Sequence, residues 1–167
     1  MQAELTPGEV SDETLMHHNA YFNPARLSGA GIVNTPEWRS AEYPSTNGHG
    51  TARGVARVYS ALAAWGELDG VRLAGRATLT EMARVHSDGP DAILGRSSRF
   101  GLGVQVTQPE RPLGPNPGAY GHFGAGGSVG FCDPAAGVAF GYVMNAMGPR
   151  WQNPRNRGLI DAVYACL

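Results

Sequence analysis

The stretch from residue 120 to 145, YGHFGAGGSVGFCDPAAGVAFGYVMN, constrains this chain more than any other. It alternates apolar residues with glycines at 121, 124, 126, 127, 130, 137 and 141. Three short strands are expected, at about 120–125, 128–132 and 138–145. Gly126-Gly127 and residues 133–137 supply the turns between them. Glycine weakens a strand unless something must approach its backbone closely, or unless the strand bends. Two readings follow for Gly121, Gly124 and Gly126 around His122: a strand that receives a ligand along its edge, or a barrel-like bend or bulge. The whole chain shares the bias, with 24 glycines and 12 prolines in 167 residues. No collagen-like period organises them, so turns and loops are expected.

The remaining elements are read from periodicity. Ser11, followed by Asp12 and Glu13, is a candidate helix N-cap. Residues 21–50 carry Pro36, Pro44, Gly48 and Gly50 and no helical or strand period. Residues 51–65 form the clearest helix, with Val55, Val58, Tyr59 and Leu62 on one stripe, Thr51 as cap and Gly66 as the left-handed residue that ends it. A second helix at 76–86 places Leu79, Met82, Ala83 and His86 together. Residues 99–107 alternate as one strand, with Phe100, Leu102, Val104 and Val106 on one side. Residues 108–119 form a Pro/Gly loop. A last helix at 156–167 aligns Leu159, Ile160, Val163, Tyr164 and Leu167. The fold class is α+β, an antiparallel sheet flanked by helices. Residues 1–167 read as one domain: an irregular segment with a short helix (1–50), a helical segment (51–98), then antiparallel strands and the closing helix (99–167).

Charge excludes several functions. Thirteen cations oppose fourteen acids, and every cation is arginine. Without lysine there is no P-loop lysine, no Schiff base and no Ser-Lys pair in this chain. A net charge of −1 does not suit nucleic acid or an anionic membrane surface. No signal peptide or membrane span is read, so the default compartment is the cytoplasm. Cys132 and Cys166 are expected as free thiols, because two cysteines build no framework and no CxxC exists. His17, His18 and His49 lack the spacing of a metal site, and no metal or cofactor is expected.

Gly126-Gly127-Ser128-Val129-Gly130 matches G-x-S-x-G, but a nucleophile elbow needs a helix after the serine, and a strand is expected here. With a two-residue turn at Gly126-Gly127, Ser128 would face Ala125. His122 would then lie three positions away on the opposite face of the sheet, out of reach as a base.

The stretch His122-Phe123-Gly124-Ala125-Gly126-Gly127 resembles the His-x-Gly form of the third motif of serine β-lactamase-related hydrolases. That family groups class C β-lactamases, D-alanyl-D-alanine carboxypeptidases (penicillin-binding-protein-like) and related esterases. Residues 34–70, Phe100-Gly101-Leu102-Gly103, and Asn153-Pro154-Arg155 with the last helix resemble further pieces of it in the same order. The resemblance covers about residues 20–167. It implies an acyl-enzyme reaction on a small ester or lactam, with His122, Gly124 and Ala125 in the catalytic group. Ala125 would give one N–H of the oxyanion hole. Phe123, Gly126 and Asn145 would line the substrate. The family's Ser-x-x-Lys is absent, and the only Tyr-x-Asn is Tyr21-Phe22-Asn23. The resemblance therefore implies the C-terminal part of a longer hydrolase, inactive alone and prone to self-association through an exposed sheet. The alternative is a non-catalytic binding module or an inactive remnant.

Overall fold

A computed structural model describes residues 8, 10–23, 31–149 and 151–167. The chain divides into two units, residues 1–49 with 91–95, and residues 50–90 with 96–167. In the first unit, helix α1 spans Asp12–Phe22. The Ser11 hydroxyl accepts the Thr14 N–H at 3.2 Å, and Asp12 and Glu13 sit in the first turn, where the helix dipole favours acids. A 3₁₀ turn at Ile32–Asn34 leads to the short helix α2, Pro36–Ser40, which buries Trp38 against the His49 ring. Residues 24–30 of the segment read as irregular lie outside the described residues.

The second unit begins with α3, Ala52–Ala63, capped by Thr51 through the Gly54 N–H at 3.1 Å. Its exit turns left-handed one residue earlier than expected, at Trp65 (φ 61°), and continues at Gly66 (φ 97°). A hairpin of β1 (Glu67–Leu68) and β2 (Val71–Arg72) follows, then α4, Arg76–Ala83. Helix α4 stops three residues short of His86.

A six-stranded sheet then runs in chain order: β3 (Ser87–Asp91), β4 (Arg96–Phe100), β5 (Gln105–Val106), β6 (Tyr120–Phe123), β7 (Val129–Asp133) and β8 (Val138–Tyr142). The ladders from β4 to β8 are antiparallel. The segment read as one strand over 99–107 is a hairpin. Phe100 pairs with Gln105, and the chain turns through Gly103 at φ 75°. Alternating hydrophobicity passes through a tight turn without a break, so period two alone did not reveal the reversal.

The register fixes which side chains share a face. Tyr120 opposes Cys132, Gly121 opposes Phe131, His122 opposes Gly130 and Phe123 opposes Val129. The odd-numbered residues of β6 and β7 face helix α5, Pro154–Ala165, in a core of Phe123, Val129, Phe131, Leu113 and Ile160. Leu159 and Leu167, read as part of that helix's buried stripe, are exposed. The even-numbered residues face α3 and α4, where Tyr120, Cys132 and Val104 meet Tyr59, Leu62 and Met82. Val58, read as part of the α3 stripe, points outward.

Two glycines set the height of α3 above the sheet. A Cβ on Gly130 would lie 2.4 Å from Tyr59 and 2.6 Å from Val55. On Gly141 it would lie 2.5 Å from the Ala52 carbonyl oxygen and 2.8 Å from the Ala56 nitrogen. On the other face, the fully buried Asp133 joins three segments. One carboxylate oxygen accepts the Ala135 and Ala136 N–H groups, and the other accepts Asn116 Nδ2 and the Tyr164 hydroxyl, each at 2.8 Å. A buried carboxylate is tolerated when its lone pairs are filled in this way.

Replacing Gly141 with Ala would force the new methyl into the α3 main chain, which cannot yield as a flexible side chain would. Overpacking of this kind costs about 1–3 kcal/mol. The urea midpoint of Gly141→Ala is expected to fall with an unchanged slope; an unchanged midpoint would contradict this account of α3.

Candidate active site

Strand β6 presents the residues singled out by sequence, and its two flanks differ. On the β7 side the ladder runs to Phe123–Val129 and closes with the Gly124 N–H on the Ser128 carbonyl at 2.7 Å. On the other side β5 pairs only with Tyr120 and Gly121. The Phe123 N–H is met by the Gln105 side-chain oxygen at 3.0 Å. Among the described residues no strand pairs with β6 past Gly121 on that flank.

The turn after β6 is longer than two residues. A 3₁₀ turn occupies Ala125–Gly127, with Gly126 at φ 81° and Gly127 at φ 108°. The Gly127 N–H donates to the Gly124 carbonyl at 3.1 Å. This shifts the register by one from the expectation: Ser128 faces Gly124, not Ala125. Because Gly124 and His122 are two residues apart, Ser128 and His122 share the α3 face of the sheet. The expectation of opposite faces for Ser128 and His122 is thus not met. Among the described residues no hydrogen bond joins the Ser128 hydroxyl to His122. The residue after Ser128 begins β7, so the strand–turn–helix of an elbow is absent.

Ala125 is exposed, and its N–H has no acceptor among the described residues. It is the free main-chain donor immediately after His122-Phe123-Gly124. Gly124 has room for no Cβ, since one would lie 2.2 Å from the Ser128 hydroxyl oxygen. The Phe123 ring lies in the core, and its N–H is taken by Gln105. Gly126 is buried beneath Met147, and Asn145 stands exposed three residues beyond the end of β8. Tyr21-Phe22-Asn23 belongs to the other unit.

His122 is exposed at its outer edge and lies beside the Phe100 ring, with centroids 6.1 Å apart. Loss of water around the ring lowers its pKa below the ordinary value. The Arg96 charge lowers it further, against a raising hydrogen bond with the Phe123 backbone. At neutral pH the imidazole is thus uncharged. Cys132, the other nucleophile nearby, is inert: burial pushes its thiol up to about 11.

The chain as a whole is matched in known proteins. The beta-lactamase family pattern matches residues 11–165. The chain belongs to the beta-lactamase family. Over 108 residues, 64% of the chain, it is 41% identical to the esterase/beta-lactamase LipL of Mycobacterium tuberculosis, of which it covers 24%. A family VIII carboxylesterase of known crystal structure is 42% identical over 83% of the chain, with a TM-score of 0.78. A penicillin-binding protein homologue from Caulobacter crescentus is 38% identical over all of it, with a TM-score of 0.81. This beta-lactamase-family chain spans 38% and 44% of those two proteins. Among the described residues no helix is long and apolar enough to cross a membrane.

The sign of the His122 shift can be tested. The unfolded chain protonates near pH 6.5, above the folded value, so it binds more protons in that window. The stability linked to keeping His122 neutral is fully present above about pH 6.5 and is lost as pH falls from there through the lower folded value. The NMR titration midpoint of His122 is expected below 6.5 and should rise in Arg96→Gln; a midpoint at or above 6.5 would reject the burial argument.

Proposed function

We propose that this chain is the C-terminal segment of a serine hydrolase acting through an acyl-enzyme, and that it supplies part of the oxyanion hole but not the attacking serine. The observation that carries the reading is the absence of any lysine from a chain whose family match runs over residues 11–165. A Ser-x-x-Lys nucleophile therefore has to come from outside these 167 residues. In the reaction, serine attacks the acyl carbon, the leaving group departs and water releases the acyl group. The exposed Ala125 N–H would donate to the carbonyl oxygen as it gains charge, an interaction worth about 3–4 kcal/mol per donor in acyl transfer. Gly124 would let the acyl group lie against the strand.

Neutral His122 favours esters over β-lactams and peptides. It offers a hydrogen bond but little charge to a substrate carboxylate at pH 7. The same absence of lysine supports a second reading, a non-catalytic remnant that keeps the end of β6 as a binding surface.

Incubation of the chain with a fluorophosphonate probe and p-nitrophenyl butyrate is expected to give no labelled residue and no hydrolysis. Labelling of Ser128 would overturn the proposal. Sequencing upstream of the Met1 codon separates the two readings, since the hydrolase reading requires Ser-x-x-Lys and Tyr-x-Asn there or on a partner chain. Self-association belongs to the same proposal, because among the described residues β8 ends the sheet and pairs only with β7. Sedimentation should show a dimer or larger species; a clean monomer would remove that part.

A further inference from the structure

Two adjacent glycines form the least restrained turn a chain can make, since glycine has the most freedom to lose on ordering. Yet Ala125–Gly127 must hold one shape if the Ala125 N–H is to point in a fixed direction. The carbonyls of Gly126 and Gly127 are where that shape is enforced. Gly126 O accepts the Gly148 N–H at 2.7 Å and Asn153 Nδ2 at 3.4 Å. Gly127 O accepts Asn156 Nδ2 at 2.9 Å.

Both asparagines sit at the start of α5, where they form a reciprocal cap: Asn153 Oδ1 accepts from the Arg155 N–H, and Asn156 Oδ1 accepts from the Asn153 N–H at 3.0 Å. Capping explains the two oxygens. It does not explain the two amide nitrogens, which reach back over 27 and 29 residues to the turn. Asn156 is fully buried, and its Nδ2 also donates to the Trp151 carbonyl at 2.7 Å. Both of its donors and its acceptor are thereby engaged. Gly127 is bare where the amides arrive; a Cβ there would lie 2.2 Å from Asn153 Nδ2.

Peptide planarity carries the Gly126 half of this restraint to Ala125, while the Gly127 carbonyl held by Asn156 shares its plane with the Ser128 N–H and fixes the far side of the turn. The Gly126 carbonyl and the Gly127 N–H belong to one planar unit. That N–H donates to the Gly124 carbonyl, which shares its own plane with the Ala125 N–H. In a trans peptide the two groups point in opposite directions, so holding the Gly124 carbonyl inward turns the Ala125 N–H outward.

We propose that Asn156 and Asn153 are positioning residues that aim the Ala125 N–H by clamping the Gly126-Gly127 turn to the start of α5. The proposal rests on the reading of Ala125 as an oxyanion donor, and its test separates the two. Asn156→Asp keeps the acceptor that caps α5 and deletes the donors to Gly127 and Trp151. Asn153→Asp keeps a favoured N-cap residue, deletes the donor to Gly126 and stands in reserve if the buried substitution unfolds the chain. Amide hydrogen exchange of the ¹⁵N-labelled chain is one readout. The other is the shift of the Ala125 amide on titration with phenylphosphonate, a tetrahedral oxyanion.

In either variant the Gly127 amide should exchange about tenfold faster, roughly the factor one net hydrogen bond carries, while the β7–β8 amides keep their protection. The Ala125 response to phenylphosphonate should fall at the same time. Equal loss of protection everywhere in both variants, or an unchanged Gly127 rate in a folded variant, would overturn the clamp. Faster Gly127 exchange with no Ala125 response in the unaltered chain would uphold the clamp and overturn the oxyanion reading.

Discussion

The close seating of α3 on bare strand backbone is the constraint from which the rest of this sheet follows. Gly130 and Gly141 leave the helix in contact with main chain, where any Cβ would collide with it. A sheet covered so tightly on one face sends its larger side chains to the other, and Phe123, Val129, Phe131 and Phe140 build the core under α5. Helix α5 is then held by its buried Ile160 and by the bond from Tyr164 to Asp133, and its first turn is delivered to the glycine turn after β6. Packing on one face thus positions the polar groups that act at the end of the other.

Most of the strand glycines are explained by packing. Gly121 makes room for Phe131, Gly130 and Gly141 for α3, and Gly126 for Met147. Gly124 makes room for the Ser128 hydroxyl. The proposed chemistry uses a few atoms: the Ala125 N–H and an imidazole that burial and Arg96 keep neutral at pH 7.

Much of the fold was legible from residue order. Ser11 and Thr51 cap helices as their side-chain chemistry dictates, and the last three strands fall where alternation and turn residues place them. The α+β class and the family resemblance were readable because the motifs survive in sequence. The hairpin at 101–104 was not, since period two continues through it. The β1–β2 hairpin and β3 were also missed. Two-residue strands and the polar SDGPD carry no alternation to detect.

The candidate site divides in the same way. Sequence alone named His122, Gly124 and Ala125, because short-range order around a motif is preserved in the chain itself. It also determined that none of these 167 residues is a lysine. Tertiary structure decided the rest. A turn one residue longer than expected put Ser128 on the same face as His122. Asn153 and Asn156, read only as part of a helix start, turned out to hold carbonyls 27 and 29 residues away. A side-chain amide has no sequence period and no fixed reach, so its partner is set only when packing brings two distant segments within about 3 Å.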